Sequence, residues 1–146
     1  MSVHLTEDLF EYLRKKDIES AFKHMSEDFL QTEIRHGLRF NRDDLKAIIQ
    51  ANFDSGTEDE GKLIKVIGIG KYTLVFHHII LKKSGQIIGL GEEWILAEWK
   101  DNKCISAEIF TDRAVFNMEV TQKWLNSLDI EYEVNNLDDS QYRKVF

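Results

Sequence analysis

Three dipeptides, Gly70-Lys71, Ser84-Gly85 and Asp101-Asn102, cut the middle of this chain into four stretches dominated by Ile, Val, Phe and Trp. A link of two residues joins strands as antiparallel neighbours. The stretches Lys62–Ile69, Tyr72–Lys82, Gln86–Trp99 and Lys103–Asp112 are therefore expected to form one consecutive meander. Two of these strands exceed the usual length of about five or six residues. Gly89 and Gly91 lie inside the third. Glycine within a strand marks a bulge or a bend, so the sheet is expected to curve strongly.

The residues before the meander read as helices. Thr6 is placed to cap a first helix, with Glu7 and Asp8 in its first turn and Arg14, Lys15 and Lys16 in its last. Charges so arranged suit the helix dipole. Leu9, Phe10 and Leu13 form its apolar stripe. Asp17 can cap a second helix carrying Ile18, Ala21, Phe22 and Met25. Asn41 can cap a third, with Leu45, Ile48, Ile49 and Phe53 at helical spacing. Phe29–Ile34 reads as a short strand, and residues 54–61 as an acidic loop. A last helix is expected over Val115–Leu128. The chain thus divides into a folded unit over 1–128 and an acidic tail over 129–146, and its class is α+β.

Counting back from the turns gives a register. With Ser84-Gly85 as a two-residue turn, His77 faces Glu92; with Asp101-Asn102 likewise, Glu92 faces Thr111 and Trp94 faces Ile109. Side chains alternate along a strand, so His77, Glu92, Trp94, Ala107, Ile109 and Thr111 share one face. His78 and Glu93 take the other. A bulge near Gly89 or Gly91 would exchange part of this assignment. Both faces are substantially apolar, whereas a sheet with one wet face alternates cleanly. Helices over the concave face and a second subunit over the convex face would cover both.

Composition narrows the function classes. The 146 residues suit one domain, and a net charge of −7 repels phosphate backbones, so no nucleic-acid partner is expected. No apolar run approaches the ~18 residues of a membrane span, and the N-terminus lacks the pattern of a signal peptide. The single cysteine, Cys104, forms no internal disulfide, which fits a cytoplasmic location. Cys104 has no local base, and Gly68-Ile69-Gly70 is a turn with no helix after it to make a phosphate site. His77 and His78 point to opposite faces and cannot easily share one ion, so neither a metal nor another cofactor is expected.

Several segments resemble the nuclear-transport-factor-2-like superfamily, which includes SnoaL-like polyketide cyclases, ketosteroid isomerases and limonene epoxide hydrolases. They are Lys16-Asp17-Ile18, Met25-Ser26-Glu27-Asp28-Phe29, and Asp101-Asn102-Lys103-Cys104-Ile105 leading into Ser106–Asp112. The resemblance covers roughly residues 5 to 128. It implies a cystatin-like architecture: a cone-shaped curved antiparallel sheet packed on three N-terminal helices, with a C-terminal helix added. It also implies a homodimer through the convex face and a pocket lined by alternate residues of the last strand, here Ala107 and Ile109. Counting from the Asp17 turn, Glu33 falls where ketosteroid isomerases carry their general base. Their oxyanion-hole tyrosine has no counterpart, since its place is near Leu9 and Tyr12 lies a turn later. Glu33, His77 and Glu92 are thus the candidate catalytic residues, with Phe53, Trp94, Ala107, Ile109 and Thr111 as candidate ligand contacts. Three functions stay open. One is a cofactor-free acid–base isomerase or cyclase, or a hydrolase, acting on a small apolar carbonyl compound. The others are a module that binds a small apolar molecule without chemistry, and a dimeric interaction module.

Overall fold

The three short turns form as expected and organise everything after them. In the computed structural model, which describes residues 2–34 and 37–113, Ile69 pairs with Tyr72, Lys83 with Gln86, and Lys100 with Lys103. Ser84 and Gly85 (φ 52° and 76°) and Asp101 and Asn102 (φ 51° and 61°) are both left-handed, the twist that suits a two-residue hairpin. The expected helix over Val115–Leu128 and the tail over 129–146 lie outside the described residues.

The meander consists of β4 (Leu63–Ile69), β5 (Tyr72–Lys83), β6 (Gln86–Lys100) and β7 (Lys103–Arg113). Before it come helix α1 (Ser2–Arg14), the short helix α2 (Ile18–Phe22), strands β1 (Met25–Glu33) and β2 (Leu38–Asn41), helix α3 (Arg42–Asp54) and the two-residue strand β3 (Glu58–Asp59). The sheet runs in the order β2-β1-β7-β6-β5-β3, with β4 beside β5 as well. It is mixed: β1 runs parallel to β7, with Gln31 beside Ala107 and Glu33 beside Ile109. Among the described residues no helix is long and apolar enough to cross a membrane.

Four local expectations are corrected. Thr6 does not cap α1; the helix starts at Ser2, and Thr6 is buried one turn inside it. Met25 leaves the second helix, which ends at Phe22, and opens β1 four residues before Phe29. Leu38–Asn41 forms a strand, and the acidic loop contains β3. The caps at Asp17 and Asn41 stand: their carboxylate and amide oxygens accept from the N–H of Ser20 (3.2 Å) and Asp44 (2.8 Å).

The fourth correction is the register. Leu81 pairs with Gly89 and Lys82 with Ile87, so β6 carries one extra residue at Ile88. Glu98 pairs with Ser106 and Trp99 with Cys104, so β7 carries another at Ile105. Each bulge shifts the count by one and adds twist. His77 therefore faces Glu93, not Glu92, and Trp94 faces Phe110, not Ile109. Strands β5 and β7 keep the expected faces, and β6 alone is turned over.

The core lies between the helices and the concave face. It contains Leu9, Ile18 and Phe22 from the helices and Phe29, Val75, Ile95, Ala107 and Ile109 from the sheet. Burying one such large side chain contributes about 1.5–3 kcal/mol. A chain of hydroxyls clips α1 onto this sheet. Trp99 Nε1 donates to Thr73 Oγ1 (3.0 Å), Thr73 and Thr6 share a bond of 3.1 Å, and Thr6 Oγ1 donates to the Ser2 carbonyl (2.8 Å). The acceptors fix the direction, so Thr73 donates to Thr6 and both hydroxyls, with the indole N–H, are satisfied out of water.

Replacing Thr73 by Val keeps the shape and leaves the indole N–H and the Thr6 hydroxyl short of partners. Urea denaturation should show a loss of about 1–3 kcal/mol, while Thr73→Ser keeps most of the stability.

Candidate functional site

The register brings three polar side chains from adjacent strands into one row on the concave face: His77 on β5, Glu93 on β6 and Thr111 on β7. Thr111 is fully buried, and its hydroxyl donates to Glu93 Oε2 at 3.3 Å. The other carboxylate oxygen, Oε1, lies 3.7 Å from His77 Nδ1. The imidazole is covered by Phe10 from α1 (ring centroids 5.4 Å apart) and has Leu63 as its neighbour on β4. His77 Nδ1 is buried and makes no hydrogen bond. The next row along the strands is apolar: Val75, Ile95 and Ile109, all buried. Glu33, at the end of β1, stands beside Ile109 and is 5% exposed.

Glu33 and Glu93 are two strands and one residue pair apart. In a flat sheet that separates their backbones by about 12 Å, and the curl shortens the span between side chains. A carboxylate, an imidazole and a second carboxylate therefore border an apolar strip, Val75, Ile95 and Ile109, that belongs to the core. A buried carboxylate costs heavily unless it is paired or hydrogen-bonded. Proton transfer between carboxylate, imidazole and a bound molecule is the chemistry this set can perform.

The other expected site residues fall as follows. Ala107, Ile109 and Thr111 are on the concave face with His77 and Glu33. Glu92 and Trp94 are not. Glu92 is on the convex face, 3.9 Å from His78 Nε2, and Trp94 is 42% exposed and stacked on Phe76 at 4.4 Å. Both expectations failed because of the two bulges: the extra residue at Ile88 turns β6 over against β5, and the one at Ile105 turns it over against β7. Phe53 packs on the core from the end of α3, with the Lys16 ammonium 5.8 Å from its ring. Glu93 was assigned to the wrong face from sequence, although Gly89 did signal the place where a bulge would exchange it with Glu92. Two shallow depressions, of about 360 and 380 Å³, lie along α3 at Asp43, Lys46 and Gln50 and beside Ser2, Leu5 and Trp99. Neither touches the row.

Helices covering one side of a curled meander, with a parallel first strand closing on the last, is an arrangement that recurs in solved proteins. No family model matches the sequence, and no curated protein matches it. Solved structures do. A proposed ketosteroid isomerase from Kribbella flavida superimposes with a TM-score of 0.66 over 79% of this chain and 80% of its own, at 15% identity. An epoxide hydrolase of the limonene-hydrolase-like kind from M. tuberculosis gives 0.66 over 75% and 81%, at 12% identity. A proposed SnoaL-like polyketide cyclase from Shewanella denitrificans gives 0.62 over 85% and 96%, at 12% identity. These structures and this chain share one fold, of the nuclear-transport-factor-2-like type. Within this nuclear-transport-factor-2-like fold the row of His77, Glu93 and Thr111 occupies the concave face of the cone, and Glu33 ends the short first strand.

Cys104 takes no part. Burial pushes its thiol up to about 12 from an ordinary 9.0, and its Sγ donates to the Ser106 carbonyl at 3.4 Å. A raised value withholds the reactive thiolate. A chromogenic disulfide reagent at pH 8 should therefore leave the native thiol unmodified for as long as the protein stays folded, and should titrate it at once in denaturant.

Proposed function

We propose that the concave face is a small-molecule site of the SnoaL-like type. It carries out acid–base chemistry without a cofactor on a small, mostly apolar carbonyl compound. The observation that carries this reading is the row of partly buried His77 and Glu93 with fully buried Thr111, beside the apolar strip with Glu33 at its far side. One group removes a proton beside the carbonyl and another returns one elsewhere, which gives isomerisation or ring closure. Similarity to isomerase-, cyclase- and hydrolase-type structures supports the class, and the residues in the row support the chemistry. The placement of Tyr12 favours a second reading, ligand binding without turnover. Its ring lies 5.6 Å from that of His24, away from the row, so an isomerase's tyrosine donor has no replacement there.

The same reading includes a homodimer. The convex face presents Phe76, Trp94 and Phe110 in one cross-strand row and Ile67, Leu74 and Leu96 in the next. Lys65 ends the first row and Glu108 the second, on opposite sides of the patch. A two-fold axis along the strands brings Lys65 of one copy toward Glu108 of the other. A specific interface of this kind buries at least ~1,000 Å².

A thermal-shift screen of small cyclic ketones and enones should find a stabilising ligand, and Glu93→Gln and Glu33→Gln should each abolish that shift or lower turnover by ~100-fold or more. Stabilisation without turnover selects the binding reading, and no stabilising compound rejects both. In sedimentation at micromolar concentration the protein should run at twice the 17.1 kDa chain mass, and Trp94→Glu should run as a monomer.

A further inference from the structure

We propose that Glu93 and Thr111 are positioning residues that fix the tautomer of His77, so that its Nε2 is the one basic atom of the row. The inference deepens the acid–base reading above and rests on it for its catalytic meaning.

Thr111 is the fully buried end of the row, 0% exposed, so its hydroxyl hydrogen must find an acceptor inside the protein. It finds Glu93 Oε2 at 3.3 Å. A carboxylate offers only acceptors, so the direction of that bond is settled. Glu93 is thereby held by one oxygen, and the other is presented to His77 Nδ1 at 3.7 Å. That distance is longer than a hydrogen bond. It is still close enough to decide how a buried ring nitrogen with no other partner is protonated.

A neutral imidazole carries its proton on one nitrogen and a lone pair on the other. A lone pair on Nδ1 would face the carboxylate oxygen with like charge. An N–H there faces it with opposite charge, in surroundings of Phe10 and Leu63 that screen little. The carboxylate therefore selects the Nδ1–H form. A proton taken from a substrate carbon then goes to Nε2, and the electron pair it leaves becomes the enolate of the substrate. Nδ1 keeps its own proton, and Glu93 stays a carboxylate beside the imidazolium. Glu93 exchanges no proton in this scheme; it orients the ring. Thr111 keeps the carboxylate from turning away.

Nitrogen-15 NMR of the full chain labelled in histidine tests this without any ligand. His77 is assigned by the loss of its signals in His77→Gln, or by backbone connectivity if that variant does not fold. At a pH where the ring is neutral, wild type should show δ1 as the protonated nitrogen and ε2 as the unprotonated one. Glu93→Leu should convert this to a mixture or to the opposite tautomer. Thr111→Val should lower the δ1-protonated fraction, and Thr111→Ser, which keeps the hydroxyl, should restore it. A purely structural role for Thr111 and Glu93 would change stability and leave the tautomer alone. Wild type with ε2 protonated, or a tautomer unmoved in Glu93→Leu, overturns the proposal even if other variants fail to fold. The δ1-protonated form in a protein that binds none of the screened carbonyl compounds supports the positioning and counts against the acid–base reading.

Discussion

A residue in a strand has only two faces to choose between, and in β6 the choice is made once, by the extra residue at Ile88. Everything polar in the candidate site depends on that choice. With the bulge, Glu93 turns toward the helices and meets Thr111, while Trp94 turns outward onto Phe76. The second bulge, at Ile105, keeps β7 in step, so Ala107, Ile109 and Thr111 stay on the side of His77. The two irregularities also add twist between neighbouring strands. That twist helps a long sheet curl around the helices instead of lying flat.

The concave side tolerates few polar atoms and treats them in two ways. Thr6, Thr73 and Trp99 form a closed chain in which each donor has an acceptor, and that chain fixes α1 against the sheet. Its members are hydroxyls and an indole, groups that a core can satisfy locally without burying charge. Further along the same strands the groups are titratable, and the geometry is less complete: a hydrogen bond of 3.3 Å, a gap of 3.7 Å and a ring nitrogen with no hydrogen bond. The contrast between a satisfied network and an unfinished one separates scaffold from candidate site.

The meander, its three turns and the caps at Asp17 and Asn41 were legible in the sequence because each is decided within a few residues. Glycine, asparagine and aspartate at left-handed positions, and side-chain oxygens at helix starts, act locally. The α+β class and the likeness to the superfamily followed from the order of those elements. His77, Ala107, Ile109 and Thr111 were placed on a common face from alternation, and they share it; Glu33, reached by counting from the Asp17 turn, stands beside Ile109. What the sequence hid was the register. Leu81 opposite Gly89, where counting gives Ile88, is a difference of one residue that the turn residues do not decide. Gly89 marked the place without giving the direction. The parallel pairing of β1 with β7 was hidden for a similar reason: it joins residues about 75 positions apart, with no local turn to announce it.

The doubled dipeptides His77-His78 and Glu92-Glu93 give this hairpin a kind of redundancy. Each strand carries the same residue type on both faces, so two His–Glu pairs stand back to back, one in the row with Thr111 and one on the convex surface. Deleting the extra residue at Ile88 would leave Lys82 opposite Ile87 and Leu81 opposite Gly89, so His77 would stay opposite Glu93. Keeping that residue and pairing it regularly with Leu81 would set His77 opposite Glu92 instead. A histidine would still face a glutamate, while Trp94 and Ile95 exchanged sides. The chemistry of the paired groups is thus less sensitive to this bulge than the packing around them.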